Sequence, residues 1–317
     1  MLTYRAVALL TPFSLDEARC VLGAFGSGEI LVIEPIARGS VNSNFAVQTT
    51  RGRLFVRVFE EQGPEGALRE TLLLGHLARH GIPTPAPLLG ADGRPFVVHR
   101  GKPVAAFPWA PGNELCQASV TADAAREVGA ALARLHLAGA SFPDRPIGRF
   151  EAAGLAARLG TIPAGAMPDR LVAELESELE RSLPELPSGI IHGDLFRDNV
   201  LWRDGLLVAL LDFESASYGA WAYDLAVTLL AWTFGDCFDP ELCRSLVAGY
   251  ESVRPLEAVE RAAMERLAVR AATRFVVTRI TDFHLRPGAT VGKDYRRFVA
   301  RRDAIASQLL PAISRSW

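Results

Sequence analysis

Cysteine is scarce in this chain: there are four among 317 residues, Cys20, Cys116, Cys237 and Cys243, and none forms a CxxC pair. That excludes a disulfide-stapled framework and a thiolate zinc site, and fits reduced thiols in a cytoplasmic protein. An excess of either charge is also missing, with 34 Lys and Arg against 36 Asp and Glu. A net charge of −2 gives no broad basic field for nucleic acid and no polybasic tail for a membrane surface. No run approaches the ~18 apolar residues of a membrane span. The first apolar run meets Pro12 and then Asp16 and Glu17 before it is long enough for a secretory segment. Internal repeats and low-complexity segments are absent as well. What is there is 49% hydrophobic residues in a chain long enough for two lobes with cores of their own.

The pattern along the chain changes once. Residues 14–26 read as a helix, with Ser14 and Glu17 spaced as a capping box. Strand-like runs follow at 29–37, 42–50 and 53–61, the last two joined by the turn "TTRGR". In "RLFVRVFE" the alternation puts Leu54, Val56 and Val58 on one face, and sets Arg57 between Phe55 and Phe59 on the other. An amphipathic helix over 67–81 and a hairpin over 94–107 complete a β-rich lobe, residues 1–107. After the turn-rich "PWAPGN" the text becomes helical, notably at 121–139, and residues 108–317 form the second lobe. The expected class is α+β and two-lobed, with an N-terminal antiparallel sheet and a larger, mainly helical C-terminal lobe.

One polar cluster interrupts the helical half. In "IIHGDLFRDNV" Asp194 follows two isoleucines, and Asn199 comes five residues later. Two short strands around the turn "RDG" then lead to Asp212 in "DFE". A lone HxD is an ordinary turn, because Asp and Asn bond their own backbone. The composite is different: protein kinases place a catalytic-loop Asp, an Asn at plus five, and a hairpin ending in a metal-binding Asp in this order. Phosphoryl transfer needs positioning and charge neutralisation more than covalent help. Asp194 is therefore expected to accept the proton of an attacking hydroxyl. Asn199 and Asp212 are expected to hold the Mg²⁺ that bridges the phosphates of ATP, since a hard cation takes few, rigidly placed oxygens. His192 is expected to brace the loop, and Asp198 reads equally as a solvated carboxylate.

A kinase also needs a cover over the phosphates and a cation that reaches them. The segment "ARGSVNSNF", 37–45, lies between the first two strands, with one glycine in place of the three of GxGxxG. Gly39, Ser40, Asn42, Ser43 and Asn44 are the candidate nucleotide-binding residues there, although such residues are also plain turn formers. Arg57 is the candidate cation and Glu70 its expected partner, because a charge facing the interior is costly without one.

These motifs resemble those of the aminoglycoside phosphotransferase and choline kinase superfamily, small-molecule kinases with a protein-kinase-like fold. The segments "NSNFAVQTTRGRLFVRVFE", "LARLHLAGASFPDRPIGRF", "IIHGDLFRDNVLW", "AYDLAVTLLAWTF", "GYESVRPL" and "AATRFVVTRITDF" are similar to homoserine kinases of the second type within it. The resemblance spans residues 42–283. It implies MgATP-dependent phosphorylation of the side-chain hydroxyl of L-homoserine, with Asp194 as base, Asn199 and Asp212 on magnesium, and Asp224 supporting the catalytic loop. The partner implied is a small molecule, with neither nucleic acid nor membrane, and the protein a monomer or homodimer.

The acceptor side is less defined. A carboxylate calls for arginine, and Arg197, Arg274 and Arg279 are the candidates, with Glu214 for an ammonium and Trp232 as a pocket wall. Three alternatives stay open on the sequence: a kinase for an aminoglycoside, choline, hydroxylysine or sugar; a catalytically inactive nucleotide-binding module; and a metal-dependent hydrolase built on His192, Asp194 and Asp198.

Overall fold

The computed structural model describes residues 11–36, 42–285 and 294–313. Its contacts group the chain into one unit up to Gly112 and a second from Asn113. The boundary falls after Gly112 and not after residue 107, because Pro108 still pairs with Leu54 in the sheet and Trp109 still donates to the Arg53 carbonyl.

The first unit is a helix, a five-stranded antiparallel sheet and a second helix. Helix α1, Leu15–Gly23, starts at the Ser14 cap with both bonds of the capping box formed. Strands β1 (Ile30–Ile36), β2 (Ser43–Thr49) and β3 (Gly52–Val58) precede helix α2, Pro64–Arg79, and strands β4 (Val97–His99) and β5 (Lys102–Pro108) follow it. The sheet order is β1-β2-β3-β5-β4. Period-two alternation in β3 decides what lies on each face. Val56 and Val58 are fully buried with Val21, Leu22 and Phe45 in a core that includes α1. Phe55 and Arg57 point the other way, where Phe55 meets Phe107 across the β3–β5 pair at 6.1 Å and Arg57 meets α2.

The second unit is mostly helical. Helices α3 (Ala122–Gly139), α4 (Ala152–Leu159) and α5 (Asp169–Glu180) come first. Four short strands follow, β6 (Ser188–Ile191), β7 (Val200–Arg203), β8 (Leu206–Leu210) and β9 (Ser217–Ala220). Helices α6 (Trp221–Trp232), α7 (Pro240–Glu251), α8 (Ala258–Arg279) and α9 (Arg296–Ile313) complete it, with a π turn, Ile280–His284, continuing α8. β7 and β8 form a hairpin, and β6 pairs with β9, so the loop between β6 and β7, which carries Asp194 and Asn199, is held at both ends.

Helices α3 and α7 pack at unusually short range because glycines face each other's backbone. A Cβ on Gly129 would lie 2.0 Å from the Leu246 carbonyl, and one on Gly249 would lie 1.9 Å from the Arg126 carbonyl. Only glycine permits that approach. It brings the buried His136 of α3 within hydrogen-bonding distance of Tyr250 of α7, at 2.8 Å. Among the described residues no helix is long and apolar enough to cross a membrane.

Candidate active site

The loop after β6 owes its shape to a few strong bonds. Ile190 and Ile191 are buried in β6, and the chain then turns at Gly193, whose φ is +75°. A Cβ at Gly193 would come within 2.8 Å of the Ser215 carbonyl, so this close turn requires glycine. The Asn199 side chain donates its amide N–H to the Asp194 carbonyl at 2.8 Å. That bond fixes the amide's orientation and leaves Oδ1 as its coordinating atom. At the far side of the hairpin, the Leu211 N–H donates to the Asn199 carbonyl at 2.8 Å, and His192 Nε2 donates to the Leu211 carbonyl at 2.9 Å. His192 Nδ1 accepts the Asp194 N–H at 3.2 Å, so this fully buried imidazole ties both strands of the site together. Asp212 follows directly, with left-handed φ and ψ of 62° and 67°. Asp194, Asn199 and Asp212 thus meet at one corner of the second unit. Asn199 and Asp212 offer oxygen donors of the type magnesium takes in small number beside phosphate oxygens.

A chain of buried hydrogen bonds stands behind the loop. The His192 and Gly193 backbone N–H groups both donate to the Asp224 carboxylate at 2.7 Å. Asp224 sits in the first turn of α6, where the helix dipole favours an anion. His136 Nε2 donates to Asp224 at 2.9 Å, the Tyr250 hydroxyl donates to His136 Nδ1, and Arg254 donates to the Tyr250 oxygen at 3.2 Å. Glu260 closes the chain with two 3.0 Å bonds to Arg254. Trp221 stacks on His136 with rings 14° apart, and the Arg254 guanidinium lies 4.5 Å from the Trp221 ring centre. Burial holds His136 below its ordinary range, consistent with the neutral tautomer that the chain requires. Asp224, though buried, is held low by His136 and the loop N–H groups. From the sequence His136 was only one position of an apolar helix, with no local signal for this role.

Asp194 is poised differently. Burial raises its carboxyl, against the pull of Arg274 and His192. Arg274 Nη2 lies 3.6 Å from Asp194 Oδ1, while Nη1 donates to the Gly193 carbonyl. The Phe150 ring covers the Arg274 guanidinium at 4.0 Å. Beside them lies a cavity of about 210 Å³, lined by Phe150, Gly193, Ser215, Tyr223 and Arg270 among others. A carboxylate with a raised pKa, a neighbouring cation and two oxygen ligands can together position a hydroxyl, receive its proton and hold a phosphate-bound cation.

Other expected residues lie elsewhere. Trp232 is not a pocket wall: it is fully buried, and its indole N–H donates to the Leu195 carbonyl at 2.9 Å, holding the catalytic loop on the end of α6. An apolar helix with its widest side chain inward accounts for this. Arg197 donates to the Ala231 carbonyl, and Glu214 lies half-buried in the short turn after Asp212. Asp198 is exposed.

In the first unit Arg57 lies 3.0 Å from Glu70 and donates to Asn44 at 3.3 Å, and Gln62 donates to Glu70 at 3.1 Å. Gly39 and Ser40 lie outside the described residues. Ser43 differs from expectation: it is buried, bonds Glu60 through its hydroxyl and accepts the Thr11 N–H, because strand pairing turns it into the sheet. Asn42 likewise accepts the Glu60 N–H at 3.1 Å. Among the described residues no group of three or more His, Cys, Asp or Glu is placed to hold a metal ion, as the hydrolase alternative needs.

Comparison with known proteins agrees with this geometry. Residues 32–263 match the model of the phosphotransferase enzyme family. The homoserine kinase of Caulobacter sp. (strain K31) is 38% identical over 298 residues, covering 90% of this chain and 92% of that one. That of Gluconacetobacter diazotrophicus is 37% identical over 291 residues, 87% and 89% of the two chains. Among solved structures, the amicoumacin kinase hAmiN, in complex with AMP-PNP and Ca²⁺, aligns with a TM-score of 0.68 at 18% identity over 87% of this chain and 88% of its own. Spectinomycin phosphotransferase APH(9)-Ia aligns with a TM-score of 0.67 at 12% identity over 96% and 97%. With its protein-kinase-like fold, this small-molecule kinase belongs to the phosphotransferase enzyme family, within its homoserine kinase branch.

Proposed function

We propose that the protein transfers the γ-phosphate of ATP to the side-chain hydroxyl of L-homoserine, with magnesium as the metal. The convergence of Asp194, Asn199 and Asp212 through the Leu211 and His192 bonds carries the reaction type. The acceptor rests on relatives 37–38% identical over most of their length that carry the name homoserine kinase.

In this reading Asp194 orients the acceptor hydroxyl and takes its proton as the phosphoryl group departs. Its raised pKa makes it a better proton acceptor than an ordinary aspartate, and the Arg274 guanidinium opposes that rise. Asn199 Oδ1 and the Asp212 carboxylate would hold the metal, which would supply neutralising charge for the nucleotide's phosphates. Arg57, oriented by Glu70 and Asn44, supplies the cation for the nucleotide in the first unit, with a planar fork in place of the lysine point charge usual in kinases. The protein acts as a monomer or homodimer in the cytoplasm on a small molecule.

ADP release from MgATP by the purified protein, measured with L-homoserine beside L-serine, choline and an aminoglycoside, tests the reading. Turnover selective for L-homoserine is expected. Preference for another acceptor, or inactivity on all four, overturns it.

A further inference from the structure

Three arginines of the second unit are gathered without an ion pair among the described residues. Arg197 follows Asp194 by three residues, Arg279 is the last residue of α8, and Arg301 belongs to α9. Arg197 and Arg301 are fastened side by side at the C-terminal end of α6, donating to the consecutive Ala231 and Leu230 carbonyls, the latter at 2.8 Å. Arg279 and Arg301 share one aromatic ring, with guanidinium carbons 4.3 Å and 5.0 Å from the centre of Phe298. Phe234 lies 5.3 Å from Arg301, and Phe298 also packs on Phe196 beside the catalytic loop.

None of these three forms an ion pair among the described residues, and the Arg279 guanidinium has no hydrogen-bond acceptor there. The segments outside the described residues contain no Asp or Glu. The buried arginines of this unit are matched: Arg254 with Glu260, Arg270 with Glu178 and Arg274 with Asp194. Burial, and then repulsion by Arg197, Arg279 and Arg297, brings Arg301 down to about 10, and burial does the same to Arg279, on which Asp194 exerts the strongest opposing pull, ahead of Asp294 and Asp198. Like charges held together in half-buried positions destabilise a protein unless an anion completes them.

We propose that Arg279 and Arg301, with Arg197, bind the α-carboxylate of an amino-acid acceptor whose hydroxyl is presented to Asp194; this rests on the function proposed above. The guanidinium fork suits a carboxylate, and stacking on Phe298 and Phe234 fixes the guanidinium planes while leaving N–H groups to the ligand. In L-homoserine four bonds separate the hydroxyl oxygen from the carboxylate carbon, a reach of about 5 Å. Arg197, in the same loop as Asp194, and Arg279, over the Phe298 ring that packs on Phe196 of that loop, lie where the hydroxyl is presented. The cluster makes the enzyme discriminate an amino acid from the amino alcohol that lacks only the carboxylate.

The test compares kcat/KM for L-homoserine and for 3-aminopropan-1-ol in the wild type, Arg279→Gln and Arg301→Gln, with Arg301→Lys as a charge-keeping control and thermal midpoints to establish folding. The wild type is expected to prefer L-homoserine by about 100-fold, the worth of charge-assisted bonds to one carboxylate. Each Gln variant is expected to lose about 30-fold on L-homoserine, chiefly through KM, and at least tenfold less on the amino alcohol. Arg301→Lys should recover part of the loss. Equal losses on both acceptors, or none, overturn the carboxylate site while homoserine turnover by the wild type keeps the proposed function standing. If the wild type does not turn over L-homoserine, both fall.

Discussion

Replacing Tyr250 by phenylalanine removes one oxygen from the middle of the buried chain that runs from Glu260 to the catalytic loop. The ring remains, so packing is nearly unchanged. His136 Nδ1 loses its donor at 2.8 Å, while Arg254 loses one acceptor at 3.2 Å and keeps both bonds to Glu260. Leaving one buried imidazole nitrogen unsatisfied costs about 1–3 kcal/mol. For a domain of roughly this size each kcal/mol moves the thermal midpoint by about 2–4 °C. The assay is urea unfolding, in which the midpoint should fall and the slope stay constant, because no new surface is exposed. Asp224 still accepts both loop N–H groups, so kcat should fall only several-fold. Asp224→Asn is the contrast: three N–H donors converge on that carboxylate, and an amide cannot accept them all. It should cost about 3–5 kcal/mol and displace the loop, with kcat down at least ~100-fold. If Tyr250→Phe is as stable as the wild type, or if the two variants lose activity alike, the chain does not support the loop as described.

Stability should fall on mild acidification. His136 is held below its ordinary 6.5, so below about pH 6.5 the unfolded chain takes up a proton that the folded protein refuses. Its contribution is complete above that pH and lost at up to about 1.4 kcal/mol per unit as the pH drops toward the folded value; urea midpoints at pH 7.5, 6.5 and 5.5 should decline in the wild type and less in His136→Gln. Gly249→Ala places a carbon against the Arg126 carbonyl, forcing α3 and α7 apart at a cost of about 1–3 kcal/mol or more; an unchanged thermal midpoint would contradict the close packing. Arg57→Met removes the guanidinium paired with the buried Glu70 at 3.0 Å, costing about 3–5 kcal/mol. Arg57→Lys keeps the charge, so it should be the milder of the two in a thermal melt and in the KM for ATP.

Local patterns carried much of this architecture. The alternation in "RLFVRVFE" and the Ser14–Glu17 spacing each specify an element within a few residues. Asp194, Asn199 and Asp212 were legible because a tight hairpin leaves little freedom in how its ends meet. Relations between distant segments were not. β6 and β9 are four residues each, with β7 and β8 between them, so neither has a turn that announces its partner. His136, Tyr250 and Arg254 sit at ordinary helical positions, and only the glycine crossing of α3 and α7 joins them. Ser43 and Trp232 show the reverse error. Both are residue types common in binding sites, yet strand register and helix burial turned them inward. Helix α9, which supplies Arg301, carries four arginines in 18 residues with no local signal of a site.

The central claim is that Asp194 serves as the base for phosphorylation of an acceptor hydroxyl, with Asn199 and Asp212 on the metal. Phosphorus NMR of wild-type and Asp194→Ala reactions with MgATP and L-homoserine tests it most directly. The wild type should produce a phosphate monoester on the side-chain oxygen, and the variant should bind ATP with similar affinity yet form no ester. Ester formation by the variant at a rate near that of the wild type, or inorganic phosphate as the only product of both, would contradict the account.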